Sequence, residues 1–221
     1  IGKEFFCNEL AIQFDLDVPE AAFITLSDPN FRSTLKSEEL ETLSMRYNGG
    51  TFASRLAEGS LVNEQLRESP FTIHDCATLF AFDCLILNTD RGGFRNKPNL
   101  LMNDDGLILI DHELTFNFID SADQDAYDKL TSQLEEHHWP EFYEKHIFYN
   151  KLKSYKGSKK ALFDTFEESL RTLDLKKIQH CITDLEDHGI SLGQSDLLID
   201  YLRTLKQNSS KFRTILLGLI S

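Results

Sequence analysis

The 221 residues suit one large domain or two small ones, and a hydrophobic share of 41% supplies a real core, which excludes wholesale disorder. A formal net charge of -13 sets the surface against nucleic-acid phosphates and anionic lipid, so neither is expected as the main ligand, and no run is apolar enough to span a membrane. Cys7, Cys76, Cys84 and Cys181 form no CxxC pair, so neither a disulfide framework nor a zinc site is expected, and a reducing, cytoplasmic setting follows. The chain opens at Ile1 in what reads as the interior of a helix, so a fragment or processed product is expected.

Taken in order, Glu4 to Phe14 puts Phe6, Leu10 and Phe14 on one face at helical spacing, with Glu4 and Glu9 off it. Ala21 to Leu26 reads as a strand, stopped by Ser27, Asp28 and Pro29. A short helix is expected between Asn30 and Leu43, a turn into a strand over Tyr47 to Arg55, and a short helix from Leu61 to Leu66. Thr72 to Leu87 is apolar nearly all round and predicts a buried helix. Asn99 to Met102 and Leu107 to Ile110 predict a hairpin closed by Asn103-Asp104-Asp105-Gly106, the glycine supplying a positive backbone angle. From Asp125 onward only helices are expected: Asp125 to Glu136, Pro140 to Lys151, Lys159 to Leu173, Leu175 to Asp187, Ser195 to Lys206 with Ser195 as N-cap, and Phe212 to Ile220. The fold class is therefore α+β, a small mixed part followed by an all-helical one.

The stretch LNTDRGGFRNKPNLLMNDDGLILIDHE, Leu87 to Glu113, carries the chemistry. Asp90 follows the buried helix on a loop. Asn99 opens the hairpin and Asp111 closes it, so antiparallel pairing should bring those two together. An Asn and an Asp at a hairpin mouth offer oxygen ligands suited to Mg²⁺, which takes one or two carboxylates and completes its shell with phosphate and water. Asp90 is placed to orient an attacking hydroxyl or take its proton. Asp, Asn and Gly also simply form turns, and that plainer reading fits the loop alone. A charged triplet, Asp111-His112-Glu113, straight after Leu-Ile-Leu-Ile is costly unless it borders a pocket. The order Asp, Asn, hairpin, Asp is that of kinase catalytic loops, in which the Asn follows the Asp by five residues. Asn96 lies six beyond Asp90 and Asn99 nine beyond it. Asn99 is favoured as the metal ligand because two leucines plant it at a strand start, and Asn96 is the alternative.

NTDR, NKPNLL and LILIDHE together resemble the HipA-like kinases, in particular their smaller bacterial branch, and more distantly the phosphoinositide 3-kinase type. Asn8-Glu9-Leu10 with Val18-Pro19-Glu20, and Phe52-Ala53-Ser54-Arg55, extend the resemblance over roughly Glu4 to Phe116. It implies a protein-kinase-like fold with a partial N-lobe remnant over 1–60 and a helical C-lobe over 61–221. It also implies ATP- and Mg²⁺-dependent phosphoryl transfer of the Ser/Thr-kinase kind. Asp90 would be the catalytic aspartate, Arg91 would hold its loop, Asn99 (or Asn96) and Asp111 would bind metal, and Glu9 would match the helix glutamate that pairs with the ATP-binding lysine. That lysine and the phosphate-covering loop precede the glutamate helix in the family, so a partner chain supplying those strands, or a protein substrate, is the partner implied. The alternative function is a kinase-derived binding module acting by protein contact, which the added Gly92-Gly93-Phe94 would suit.

Elsewhere, His137-His138 reads as a helix end rather than a metal pair, since adjacent helical side chains diverge. His74 and His180 read as core histidines, Phe163, Phe166 and Leu170 as a core stripe, and Asp184 to Asp187 as a solvated face.

Overall fold

A computed structural model describes residues 2–38, 41–42, 50–62, 72–92, 97–120 and 124–221. Helix α1 (Gly2–Ile12) buries Phe6, Cys7, Leu10 and Ala11, and Phe14 beyond its end is buried too. It ends in a reverse turn. Asp15 takes φ 56, and Leu16 N–H reaches back to Ala11 O at 3.2 Å while Asp15 N–H bonds Ile12 O. Strand β1 (Ala21–Thr25) pairs antiparallel with β2 (Gly50–Ser54), Ala21 opposite Ser54 and Thr25 opposite Gly50. Between them α2 (Pro29–Ser33) starts at Asp28, whose carboxylate accepts from the amides of Asn30 and Phe31.

The second sheet is β3 (Ser60–Leu61), β4 (Leu100–Met102) and β5 (Leu107–Leu109), antiparallel throughout. The helix expected from Leu61 is thus replaced at its start by a strand. Leu61 pairs with Leu101, and Val62 is fully buried with its N–H on Leu100 O, so sheet pairing won over local preference. The rest of that segment lies outside the described residues. The β4–β5 hairpin forms as the pattern predicts. Asn103 Oδ1 accepts from the amides of Asp105 and Gly106, and Gly106 takes φ 150.

Helix α3 (Ile73–Leu85) is capped by Thr72, whose hydroxyl accepts from Asp75 N–H, and nearly all of it from Cys76 on is buried. A helix end this deep leaves carbonyls without partners unless other elements supply donors. Trp139 Nε1–H bonds Cys84 O at 3.1 Å, Tyr201 O–H bonds Leu85 O at 2.7 Å, and Phe116 N–H bonds Ile86 O at 2.9 Å. Three distant segments therefore converge on the end of α3, just before the Asp90 loop.

The helical remainder comprises α4 (Gln124–Glu135), α5 (Tyr149–Ser154), α6 (Asp164–Thr172), α7 (Leu175–Asp187), α8 (Ser195–Gln207) and α9 (Ser209–Leu219). α6 packs on α3, α8 and α9, while α1 packs on α7. Buried residues of α1, α3 and the C-terminal helices form one cluster. The helix expected over Pro140 to Lys151 is broken. A 3-10 turn runs Glu141–Lys145, and His146 is extended (φ -63, ψ 140) because its ring is drawn inward to Asp83. The cap of α8 is Gln194 rather than Ser195, with no side-chain capping bond to the helix, and α6 begins only at Asp164. His74 and His180 are exposed, against expectation; the buried histidines are His112 and His146. His137 does end a helix: it takes φ 60, with His138 N–H on Gln133 O. All four cysteines are free and buried, and no helix among the described residues is long and apolar enough to cross a membrane.

Tyr201→Phe should leave Leu85 O buried without that donor and lower stability by about 1–3 kcal/mol, read as an earlier midpoint in urea.

Candidate active site

Directly after α3 the chain turns at Leu87, φ 55, and delivers Asn88, Asp90 and Arg91 into buried positions. The fixed point is Asp83, the last acidic residue of α3, which is fully buried. Its Oδ2 accepts from Arg91 Nε at 2.6 Å and from His146 Nε2 at 2.9 Å, and its Oδ1 accepts from Asn88 Nδ2 at 2.9 Å. His146 Nδ1 in turn accepts from Phe148 N–H, which fixes the proton on Nε2. Burial alone would push the Asp83 carboxyl up. The Arg91 charge and the His146 hydrogen bond outweigh it and hold the group at about 2.

Arg91 is the residue through which the loop meets the hairpin. Its side chain is wholly enclosed. Beyond Asp83, its Nη1 donates to Asn99 O and, at 3.5 Å, to Ile110 O, and its Nη2 donates to His112 Nε2 at 3.3 Å. One guanidinium thus touches both ends of the hairpin. The loop also docks on the 146–148 segment: Ile147 N–H bonds Arg91 O, and a Cβ on Gly92 (φ 82) would lie 2.8 Å from Ile147 N. The glycine that looked like an insertion is required by that close approach.

Asp90 and Asn99 meet directly, Asn99 Nδ2 donating to Asp90 Oδ2 at 3.0 Å. Both are buried. Ile110 N–H bonds Asn99 O at 3.2 Å, so the hairpin brings Asn99 to the residue before Asp111. Asn99 and Asp111 both adopt left-handed backbone, φ 44 and 61. Such a conformation costs a non-glycine residue roughly 1–2 kcal/mol, although Asn and Asp tolerate it best. Asp111 borders a cavity of about 410 Å³ shared with Glu4, Phe52 and Glu113. Asn96 lies outside the described residues.

Glu9 is not brought to this place. It is half-buried on α1, where its charge helps burial raise the Cys181 thiol to about 12. Glu4, five residues earlier on α1, reaches the hairpin end instead. Its Oε1 accepts from Asp111 N–H at 3.1 Å and its Oε2 from His112 N–H. Burial raises the Glu4 carboxyl, but its contacts with His112 and Asp111 bring it below the ordinary value. Sequence reading missed Asp83, His146 and Glu4. Asp83 had a signal, an acidic residue inside an otherwise apolar helix. Glu4 had none, since any exposed helix position tolerates a glutamate.

The donor set suits a hard cation. Only the amide N–H₂ of Asn99 can face the Asp90 carboxylate, so Asn99 Oδ1 is not used in that bond, and the hairpin pairing puts Asn99 one residue from Asp111 in register. Among the described residues no group of three or more His, Cys, Asp or Glu could hold a metal, so a fully protein-built cage is not what these residues offer. One amide and one carboxylate, completed by phosphate and water, is the Mg²⁺ pattern. A larger cavity of about 1060 Å³ lies elsewhere, lined by Phe118, Lys129, Trp139 and Leu219 among others, and includes none of Asp90, Asn99 and Asp111.

An α+β chain in which a buried aspartate–arginine pair presents an Asp and an Asn beside a hairpin that ends in Asp has the arrangement of a phosphotransferase of the kinase kind. The family model of HipA-like kinases matches residues 1–186, and the chain belongs to that family. No curated protein matches it. Membership carries kinase-type function, with nucleotide and divalent-metal use, in general terms.

The Asp83 carboxyl lies below its ordinary 3.8, so its stabilisation is complete above about pH 4 and is lost as pH falls from there toward 2. Asp83→Asn should leave Arg91 buried without its counter-charge, cost about 3–5 kcal/mol near neutrality, and flatten the acid loss, as followed by urea unfolding across pH.

Proposed function

We propose that the chain is an ATP- and Mg²⁺-dependent phosphotransferase of the HipA-like Ser/Thr-kinase type. The observation that carries this reading is the direct Asn99–Asp90 hydrogen bond on a hairpin whose other end is Asp111, all three fastened through Arg91. In it, Asn99 Oδ1 and the Asp111 carboxylate would hold the metal, with Asn96 as an alternative oxygen. Mg²⁺ when bound would neutralise charge on the phosphate oxygens. Asp90, with Oδ2 occupied by Asn99, offers Oδ1 to the acceptor hydroxyl, orienting it and taking its proton as the oxygen bonds to the γ-phosphorus of ATP, whose bond to the bridging oxygen breaks so that ADP leaves. Arg91 acts from behind, holding Asp90 and both hairpin ends in register without facing the cavity. In this reading residues 1–60 belong to the N-lobe and 61–221 to the C-lobe, and Glu4 takes the helix-carboxylate place that the sequence suggests for Glu9. ATP is the donor, and a protein hydroxyl is the acceptor class this family reading favours.

Asp90→Asn should retain Mg-ATP binding in calorimetry while phosphate transfer falls about 10²–10⁴-fold. Asp111→Asn should weaken Mg-ATP binding itself by about tenfold or more. If Asp111→Asn left both binding and transfer unchanged, the metal assignment would be wrong.

A further inference from the structure

The first two turns of α1 grip the segment that follows the hairpin. Lys3 Nζ donates to Thr115 O and to Asp120 Oδ2, both at 2.7 Å, and Phe6 meets the Phe116 ring edge-on. Cys7 Sγ lies 3.5 Å from Thr115 Oγ1. Glu4 is the member of this grip that touches the site. Its two carboxylate oxygens take one backbone N–H each from Asp111 and His112, the pair of amides that a left-handed Asp111 turns toward a single anion. His112 is fully buried, its Nε2 taken by Arg91. Its Nδ1 has no hydrogen-bond partner and faces Glu4 Oε1 at 3.6 Å. Asp111 is therefore restrained from the loop side by Arg91, through Ile110 O and His112, and from the helix side by Glu4.

We propose that Glu4 is a positioning residue for the metal site: by holding the amides of Asp111 and His112 it fixes the left-handed turn that aims the Asp111 carboxylate, so that the placement of α1 governs metal affinity. This rests on the reading of Asp111 as a metal ligand. An ordinary solvated glutamate would not fit the same observations, because Glu4 is only 14% exposed and both its oxygens are occupied. Glutamine at this place keeps one acceptor but turns an N–H₂ toward the second amide, so charge and geometry fail together. Aspartate keeps the charge and draws it back by one methylene.

The test uses the full chain and Mn²⁺ alone, titrated by electron paramagnetic resonance, with amide hydrogen exchange measured in the absence of metal. In Glu4→Gln, the amides of Asp111 and His112 should exchange faster than in the wild type, and the Mn²⁺ dissociation constant should rise roughly tenfold. Glu4→Asp should fall between, which keeps the comparison available if the glutamine variant does not fold. Glu168→Gln, on the exposed face of α6 beside Arg171, should match the wild type in both measurements. Mn²⁺ binding lost in Asp111→Asn but unchanged in the Glu4 variants would overturn the positioning role and leave the site reading standing. Mn²⁺ binding that is absent from the wild type, or indifferent to Asp111→Asn, would overturn both.

Discussion

The buried pair between Asp83 and Arg91 is the constraint on which the rest of this protein depends. A charge taken out of water is stable only if it is paired and its remaining hydrogen-bonding positions are filled. Asp83 sits at the end of a helix that is apolar almost throughout, and three donors fill its oxygens. Arg91 has donors to spare after that pairing, and the nearest acceptors are the two ends of a hairpin and a histidine ring. Satisfying one guanidinium therefore sets the distance between the loop that carries Asp90 and the hairpin that carries Asn99 and Asp111. The pair contributes little as a net stabilising interaction, yet it permits few alternative arrangements of the chain around it.

The same logic explains why so many remote residues meet at the end of α3. Trp139, Tyr201 and Phe116 come from three separate segments, and each donates to one carbonyl there. A functional loop hung on a buried helix end needs such support, because unpaired carbonyls in the core would otherwise favour fraying. His146 joins the support from its own side, and its extended backbone is the reason a helix predicted through it does not form. Left-handed residues at Leu87, Asn99 and Asp111 mark where the chain is bent to reach the site. They are held by the contacts around them rather than by local preference.

Much of the site was legible because it is local. The hairpin follows from two apolar runs and an Asn-Asp-Asp-Gly turn, and a hairpin must bring its two ends together whatever surrounds it. Asp90 was readable because a buried helix ended just before it. The strand at Leu61 was misread since its partner, Leu101, lies forty positions on in the sequence, and no short window contains that pairing. The same holds for Glu4 and Asp111, which meet across 107 positions, and for His146 and Asp83 across 63. Glu9 follows from the motif, whereas only the packing of α1 shows that Glu4, five residues earlier, reaches the hairpin end.

By itself, then, the sequence determined most element types, the loop–hairpin order and the three polar residues, Asp90, Asn99 and Asp111, on which the proposed chemistry rests. Each depends on periodicity or turn chemistry within a few residues. Tertiary structure alone decided that Arg91 is a buried linchpin rather than a surface cation, that Asp83 and His146 stand behind it, that Gly92 is needed for close docking on Ile147, and that α1 offers Glu4 to the site. Those outcomes turn on which distant groups are forced to satisfy one another once water is excluded, and that is a property of the packed core rather than of any local run of residues.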